Sequence, residues 1–447
     1  MPSATAGFAP NLEKFLKSPK GQPLEASVES LISLLKRRQI KGPESCAIAT
    51  AHILLQVVAR SKWQDVETLI ANVSQTGRRL VEAQPNELVI ANITRRVLSL
   101  IRDEAVEDRN DLTSETMSDC PMTPVEVPVT ASLSQPFSPA TLSRNDSMDA
   151  SIPGTPTGRS RLLASHSNAG LPKSLFHLLS ASPPTDGDAL SSGSPYRNSG
   201  TSTPTWKGTS SQVHALRSEV IDGIEEIKDE ISQVDDQIAA LAEVQIHPGD
   251  HVLVHQPTQT VERFILRAAQ KRKFTLFLAV EPPKRGATEP QYATFRKKLE
   301  SLGVKVISIF NSGLTAYMSR IDKVVMGAKA IVASGGALVD GGGSSIARAA
   351  KEHGNPVIIL GGVYKLSPDS PFAEDQLIEW GDSSSVVSFE NGPIVNEVIV
   401  RTAVTELVPP GCIDTYITNL GTHSRDHLSS LIADHYKQAD TDFHLSS

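Results

Sequence analysis

Cysteine is scarce in this chain: 447 residues hold three, Cys46, Cys120 and Cys412, far apart and without CxxC spacing. That excludes a disulfide framework and a cysteine-built zinc site. The histidines of the C-terminal half, His251, His255, His353, His423, His427 and His435, show no HExxH spacing, so no metal is expected. No apolar run approaches the roughly 18 to 20 residues of a membrane helix, and the first residues carry no apolar leader-like stretch. A cytosolic protein without membrane contact is therefore expected. A dominant charge sign is missing as well. With 43 Lys and Arg against 50 Asp and Glu, the net charge is −7, which leaves no basic footprint for nucleic acid. A Walker sequence with its lysine is absent, and so is a complete dinucleotide fingerprint.

What is present divides by composition. From about Asn11 to Glu104 apolar residues recur in steps of three and four: Leu31, Leu34 and Leu35; Ala47, Ala51, Leu54, Leu55 and Val58; Val66, Leu69 and Ile70; then Ile90, Ile93, Val97, Leu100 and Ile101. Such spacing marks amphipathic helices, and Gly42-Pro43, Gly77 and Pro85-Asn86 are the expected breaks. Residues 11–106 are read as a helical bundle. Two basic pairs lie on it, Arg78-Arg79 and Arg95-Arg96. Both are candidates for receiving an acidic or phosphorylated partner, and both have the alternative of a plain solvated face.

Between Pro121 and Ser210, 40 of 90 residues are Ser, Thr or Pro. So little apolar surface cannot offset chain entropy, and residues 107–211 are read as a disordered insertion. It holds several Ser-Pro and Thr-Pro dipeptides, of the kind expected by chance in such a segment, and one apolar island, SLFHLLS, from Ser174 to Ser180. Residues 212–246 follow as a connecting helix, with a stripe of Leu216, Val220, Ile224, Ile227, Ile231, Val234, Ile238 and Leu241 to pack on the bundle.

From residue 247 to 447 strand and helix alternate. Candidate strands are Val252–His255, Phe274–Val280, Val304–Ile309, Val324–Met326, Ile331–Ala333, Val357–Leu360 and a stretch before Pro409-Pro410; helices are expected at Thr260–Lys271, Tyr292–Leu302, Ser344–His353 and Arg425–Tyr436. This is an α/β pattern with a doubly wound, mainly parallel sheet. Its centre is KVVMGAKAIVASGGALVDGGGSSIARAAKEHGNPVIIL, from Lys323 to Leu360. Gly341-Gly342-Gly343 turns the backbone, and Ser344 is expected to cap the next helix. With Ser344 and Ser345 the turn admits two readings, an anion cradle or a tight turn with nothing bound.

That segment, together with HVLVHQPTQTVERFILRAAQKRKF from His251 to Phe274, AQPNELVIANITRRVLSLIRDE from Ala83 to Glu104, and the phrases MSRIDKVVMGAK and YKLSP, resembles the regulatory subunits of eukaryotic translation initiation factor 2B, among them the beta branch. The resemblance implies a helical domain followed by a Rossmann-like domain. It also implies a non-catalytic subunit of a guanine-nucleotide exchange factor, with delta and epsilon subunits and translation initiation factor 2 as partners, and with sensing of that factor's phosphorylated alpha subunit. No cofactor is implied. The family is related to sugar-phosphate isomerases, in which a catalytic cysteine follows the strand matching Val252–His255 and an aspartate occupies the place of Lys329. Gln256 stands at the cysteine position here. An amide cannot act as a thiol acid or base, and a lysine reverses the carboxylate's charge. Three functions thus remain to be separated: exchange-factor subunit, sugar-phosphate isomerase, and nucleotide sensor using the glycine turn.

Overall fold

The computed structural model describes residues 12–17, 21–117, 210–280, 292–310, 313–369, 377–381, 387, 392 and 399–441. All of them belong to one compact unit that spans Met1–Asp119 and Pro204–Ser447. The Ser/Thr/Pro-rich insertion, its dipeptides and SLFHLLS lie outside the described residues.

The helical part consists of α1 (Leu12–Leu16), α2 (Leu24–Lys36), α3 (Pro43–Arg60), α4 (Val66–Ala83), α5 (Leu88–Met117) and α6 (Ser210–Ala240). Pro43 stands in the first turn of α3, where a missing N–H costs nothing. Asp65 caps α4, its carboxylate accepting the Thr68 N–H at 3.1 Å, a contact worth about 1 kcal/mol. Gly77 does not break a helix, contrary to its expected role. It sits inside α4, where a Cβ would fall 2.3 Å from Thr94 Cγ2, so the missing side chain lets α4 and α5 approach closely. Gly223 does the same for α6, with Leu100 in the space a Cβ would need. The stripe of α6 from Leu216 to Ile238 is buried as its spacing demands.

The rest is built on two sheets. The strands are β1 (His251–His255), β2 (Thr275–Val280), β3 (Lys305–Phe310), β4 (Lys323–Gly327), β5 (Ala330–Val332), β6 (Ala337–Asp340), β7 (Val357–Leu360), β8 (Leu366–Ser367), β9 (Glu379–Trp380), β10 (Ala403–Val408), β11 (Thr415–Thr418) and β12 (Gly421–His423). The helices are α7 (Gln259–Lys271), α8 (Ala293–Ser301), α9 (Gly343–His353), α10 (Arg425–His435) and α11 (Gln438–Thr441). Seven strands form the large sheet in the order β12-β11-β7-β4-β1-β2-β3, parallel except for β12. The chain runs outward from β1 through β2 to β3, then resumes on the other side at β4, so direction switches between β1 and β4. Both faces are covered, as parallel sheets require. Val252 and Val254 share a core with the helical part, while Leu253 between them faces a second core with Ile346, Ala347 and Leu428.

β5 departs from expectation. Instead of joining the parallel sheet it lies in a second sheet, ordered β8-β5-β6-β10-β9, antiparallel to β6 and parallel to β8. A three-residue apolar run carries no information about its partner's direction, and the Gly335-Gly336 turn folds β6 back onto it.

Candidate functional site

In open α/β sheets ligands bind outside the carboxyl ends of the strands where direction switches. Here that place lies beyond β1 and β4. β1 ends in His255 and Gln256, and Gln256 holds a left-handed φ of 39°, which costs a non-glycine residue roughly 1 kcal/mol or more. His255 Nε2 donates to the Gly341 carbonyl at 2.9 Å, and Gln256 Nε2 reaches the same oxygen at 3.5 Å. Past β4, Lys329 pairs with Asp340 of β6 at 2.7 Å. Thus the end of β1, the residue after β4 and the glycine turn are already bonded to one another.

The turn itself is closed from outside. Gly341 donates its N–H to Val404 of β10 at 3.0 Å, and a Cβ at Gly341 would fall 2.1 Å from the Ala403 carbonyl oxygen. Helix α9 starts at Gly343 after Gly342 at φ 94°, with no side-chain cap, so Ser344 is not the cap expected of it. Its N–H instead donates to a carboxylate oxygen of Glu406 at 2.5 Å. An anion does sit at this helix start, as the dipole favours, and it belongs to the chain. Gly341, Gly342, Gly343, Ser344 and Ser345 therefore form a turn against β10.

Above β7 the helical part covers the sheet. Gly362 lies against Val234 of α6, where a Cβ would come within 2.5 Å, and Asn92 of α5 donates to the Tyr364 carbonyl at 3.1 Å. Lys365 is buried beneath, its ammonium 5.6 Å from the Tyr364 ring centre. Burial lowers its pKa, opposed by Asp235, Glu44 and Glu87. Asp235 accepts from Thr260 Oγ1 at 2.7 Å, and Glu87 from the Gly42 N–H at 3.2 Å. Burial likewise raises the pKa of Glu44 and of Glu87, with Lys365 pulling both back. This mixed cluster joins α3, α6, α7 and the loop before α5 to the segment after β7.

The basic pairs are placed differently from one another. Arg78 is exposed on α4 and Arg79 half-buried, paired with Glu29 and, at 2.7 Å, with Glu25 of α2. A cavity of about 320 Å³ beside them is lined by Leu24, Val28, Ser61, Lys62, Asn72 and Arg79, among others. Arg95, expected to point partly outward, is enclosed, whereas Arg96 keeps partial exposure. The Arg95 side chain is 0% exposed and grips Asp369 with two hydrogen bonds of 2.9 and 2.7 Å, while Arg96 holds Glu230 of α6 at 2.6 Å. Neighbouring apolar residues cannot reveal such partners, because Asp369 is 274 residues away. Glu406, Asp340 and Asp369 had no signal in local spacing. Lys365 lay within the YKLSP phrase without a role.

No group of three or more His, Cys, Asp or Glu among the described residues is arranged to hold a metal, and no described helix is long and apolar enough to cross a membrane.

The chain is thus a doubly wound sheet roofed by a helical bundle, with the crevice at its switch point lined by bonds among the chain's own groups. The chain belongs to the Initiation factor 2 subunit family, which it matches over residues 39–424. Within that family it is 30% identical over 422 residues to the translation initiation factor eIF2B subunit beta of Schizosaccharomyces pombe, covering 93% of this chain and 97% of that one. It also matches a chain of the tetrameric eIF2B-beta2-delta2 complex from C. thermophilum, at 38% identity and TM-score 0.63, over 96% of this chain and 100% of that one. A ribose 1,5-bisphosphate isomerase of Haloferax volcanii is 24% identical over 213 residues, 48% of this chain and 65% of the isomerase.

Proposed function

We propose that this chain is a non-catalytic regulatory subunit of the guanine-nucleotide exchange factor for translation initiation factor 2, acting in the cytosol with delta and epsilon subunits. In this role it promotes exchange of GDP for GTP and takes part in sensing the factor's phosphorylated alpha subunit. The observation that carries the reading is the closed crevice at the β1–β4 switch point. Gln256, His255, Lys329 and Asp340 bond inward, and Glu406 occupies the anion position of the glycine turn. An exchange factor acts by binding one state of its partner preferentially, which requires no substrate pocket of its own. Gln256 and Lys329 stand, on this reading, where related isomerases carry their thiol and carboxylate, so the chemistry is lost and the scaffold kept. Arg78 and Arg79 remain the candidates for the partner-facing surface, since they lie on the outer side of α4 beside the α2–α4 cavity.

Affinity purification of the chain from its own cells, followed by mass spectrometry, tests the proposal. Four further exchange-factor subunits are expected in stoichiometric amounts. Recovery of the chain alone as a homodimer that turns over ribose bisphosphate or methylthioribose phosphate would overturn it in favour of the isomerase.

A further inference from the structure

Among the charged side chains of helix α5 are two adjacent pairs, Arg95-Arg96 and Arg102-Asp103. Seven residues are about two turns, so both pairs lie on one face. The last described stretch of the chain runs across that face. Burial lowers the pKa of His435, with Arg96 adding to the shift and Glu230 opposing it. Tyr436, 4% exposed, donates its hydroxyl to the Leu366 carbonyl at 2.6 Å and so fastens the stretch to β8, shortly before Asp369, the carboxylate that holds Arg95. Lys437 pairs with Asp103. Asp440, 2% exposed, accepts from Arg102 through Nε at 3.2 Å and Nη2 at 3.1 Å, while its second carboxylate oxygen has no hydrogen-bond partner among the described residues.

We propose that residues 435–441 are a strap that couples the helical part to the α/β part by holding α5, and that the Arg102–Asp440 pair is its clasp. The unequal exposure of the two partners argues for a clasp rather than a passive contact. Arg102 retains access to water, with its side chain 33% exposed, whereas Asp440 is enclosed. Losing Arg102 leaves an uncompensated buried carboxylate, which favours expulsion of Asp440 and detachment of the short helix α11 that carries it. Release would act on α5 before the large sheet, because the sheet's other face has a separate core with α9 and α10. A partner that tilts the helical part would have to open this clasp.

Hydrogen exchange on the full chain tests the strap. In Arg102→Ala, in Asp440→Ala and in a chain ending at Tyr436, amides of residues 91–105 should exchange at least tenfold faster, with those of β1, β4 and β7 unchanged. The Arg102→Ala, Asp440→Ala double variant should exchange no faster than either single variant, since both remove one contact. Unaltered exchange in α5, equal acceleration throughout the sheet, or multiplied effects in the double variant would each overturn the proposal.

Discussion

Arg95 and Asp369 are separated by 274 residues and meet as a two-pronged ion pair, the guanidinium fully enclosed at the seam between α5 and the segment after β8. An arginine so placed acts on the fold before it can act on a partner. Arg95→Ala should cost about 3 kcal/mol or more, because it removes two charge-assisted bonds of a fully enclosed guanidinium. Arg96→Ala loses a charge-assisted bond to Glu230 and should cost about 1.5 to 3 kcal/mol. Urea unfolding of the two single variants checks the order. Any weakening of partner binding by Arg95→Ala is then read as unfolding.

Gly341 and Glu406 allow a test of the closed turn. Gly341→Ala drives a methyl into the Ala403 carbonyl, and overpacking of this kind costs about 1 to 3 kcal/mol. Glu406→Ala uncaps α9. With the Ser344 N–H left without its carboxylate, added inorganic phosphate is expected to raise the melting temperature of the variant and to leave that of the wild type unchanged.

Lys365 sets a pH dependence whose sign can be worked out. Lys365→Met removes a fully buried cation that faces Glu44, Glu87 and Asp235, which should cost about 3 kcal/mol near pH 8. Glu44 and Glu87 have folded pKa values above the ordinary 4.5. A carboxyl of this kind binds its proton in the folded state first, so its contribution to stability grows as pH falls through the window above 4.5. The penalty of Lys365→Met should therefore shrink between pH 8 and pH 5.5, as read from urea midpoints at the two pH values.

Deletion of Pro121 to Gly170 should leave assembly with the other subunits unchanged, because a segment too poor in apolar residues to build a core can be shortened at a loop-closure difference below about 1 kcal/mol. Gel filtration of the shortened chain with its partners measures this, and loss of assembly would speak against an inert insertion.

Much of the fold was legible because burial on both faces writes a plain signal. β1, β2, β4 and β7 read as apolar runs, and α6 as a stripe with steps of three and four. Gly77 misled because a glycine within a helix looks the same whether it breaks the helix or lets another one approach; Thr94 decides, and it lies on the next helix. β6 was hidden between two glycine turns, and without it β5 had no visible partner. The candidate site was legible as a turn but not as a filled one. Its occupant, Glu406, comes 62 residues later on a strand whose partners local pattern does not name. Arg95 was misplaced for the same reason: its inward position on α5 is fixed by Asp369, not by the apolar residues beside it.

Gly223 seats α6 directly against Leu100 of α5, and the two helices share one core with α3. These are the helices on either side of residues 118–209. Chain continuity across that interval is thus redundant for holding the particle together: a polypeptide severed there would elute as one species, and two halves expressed from separate genes would find each other through the α5–α6 seam.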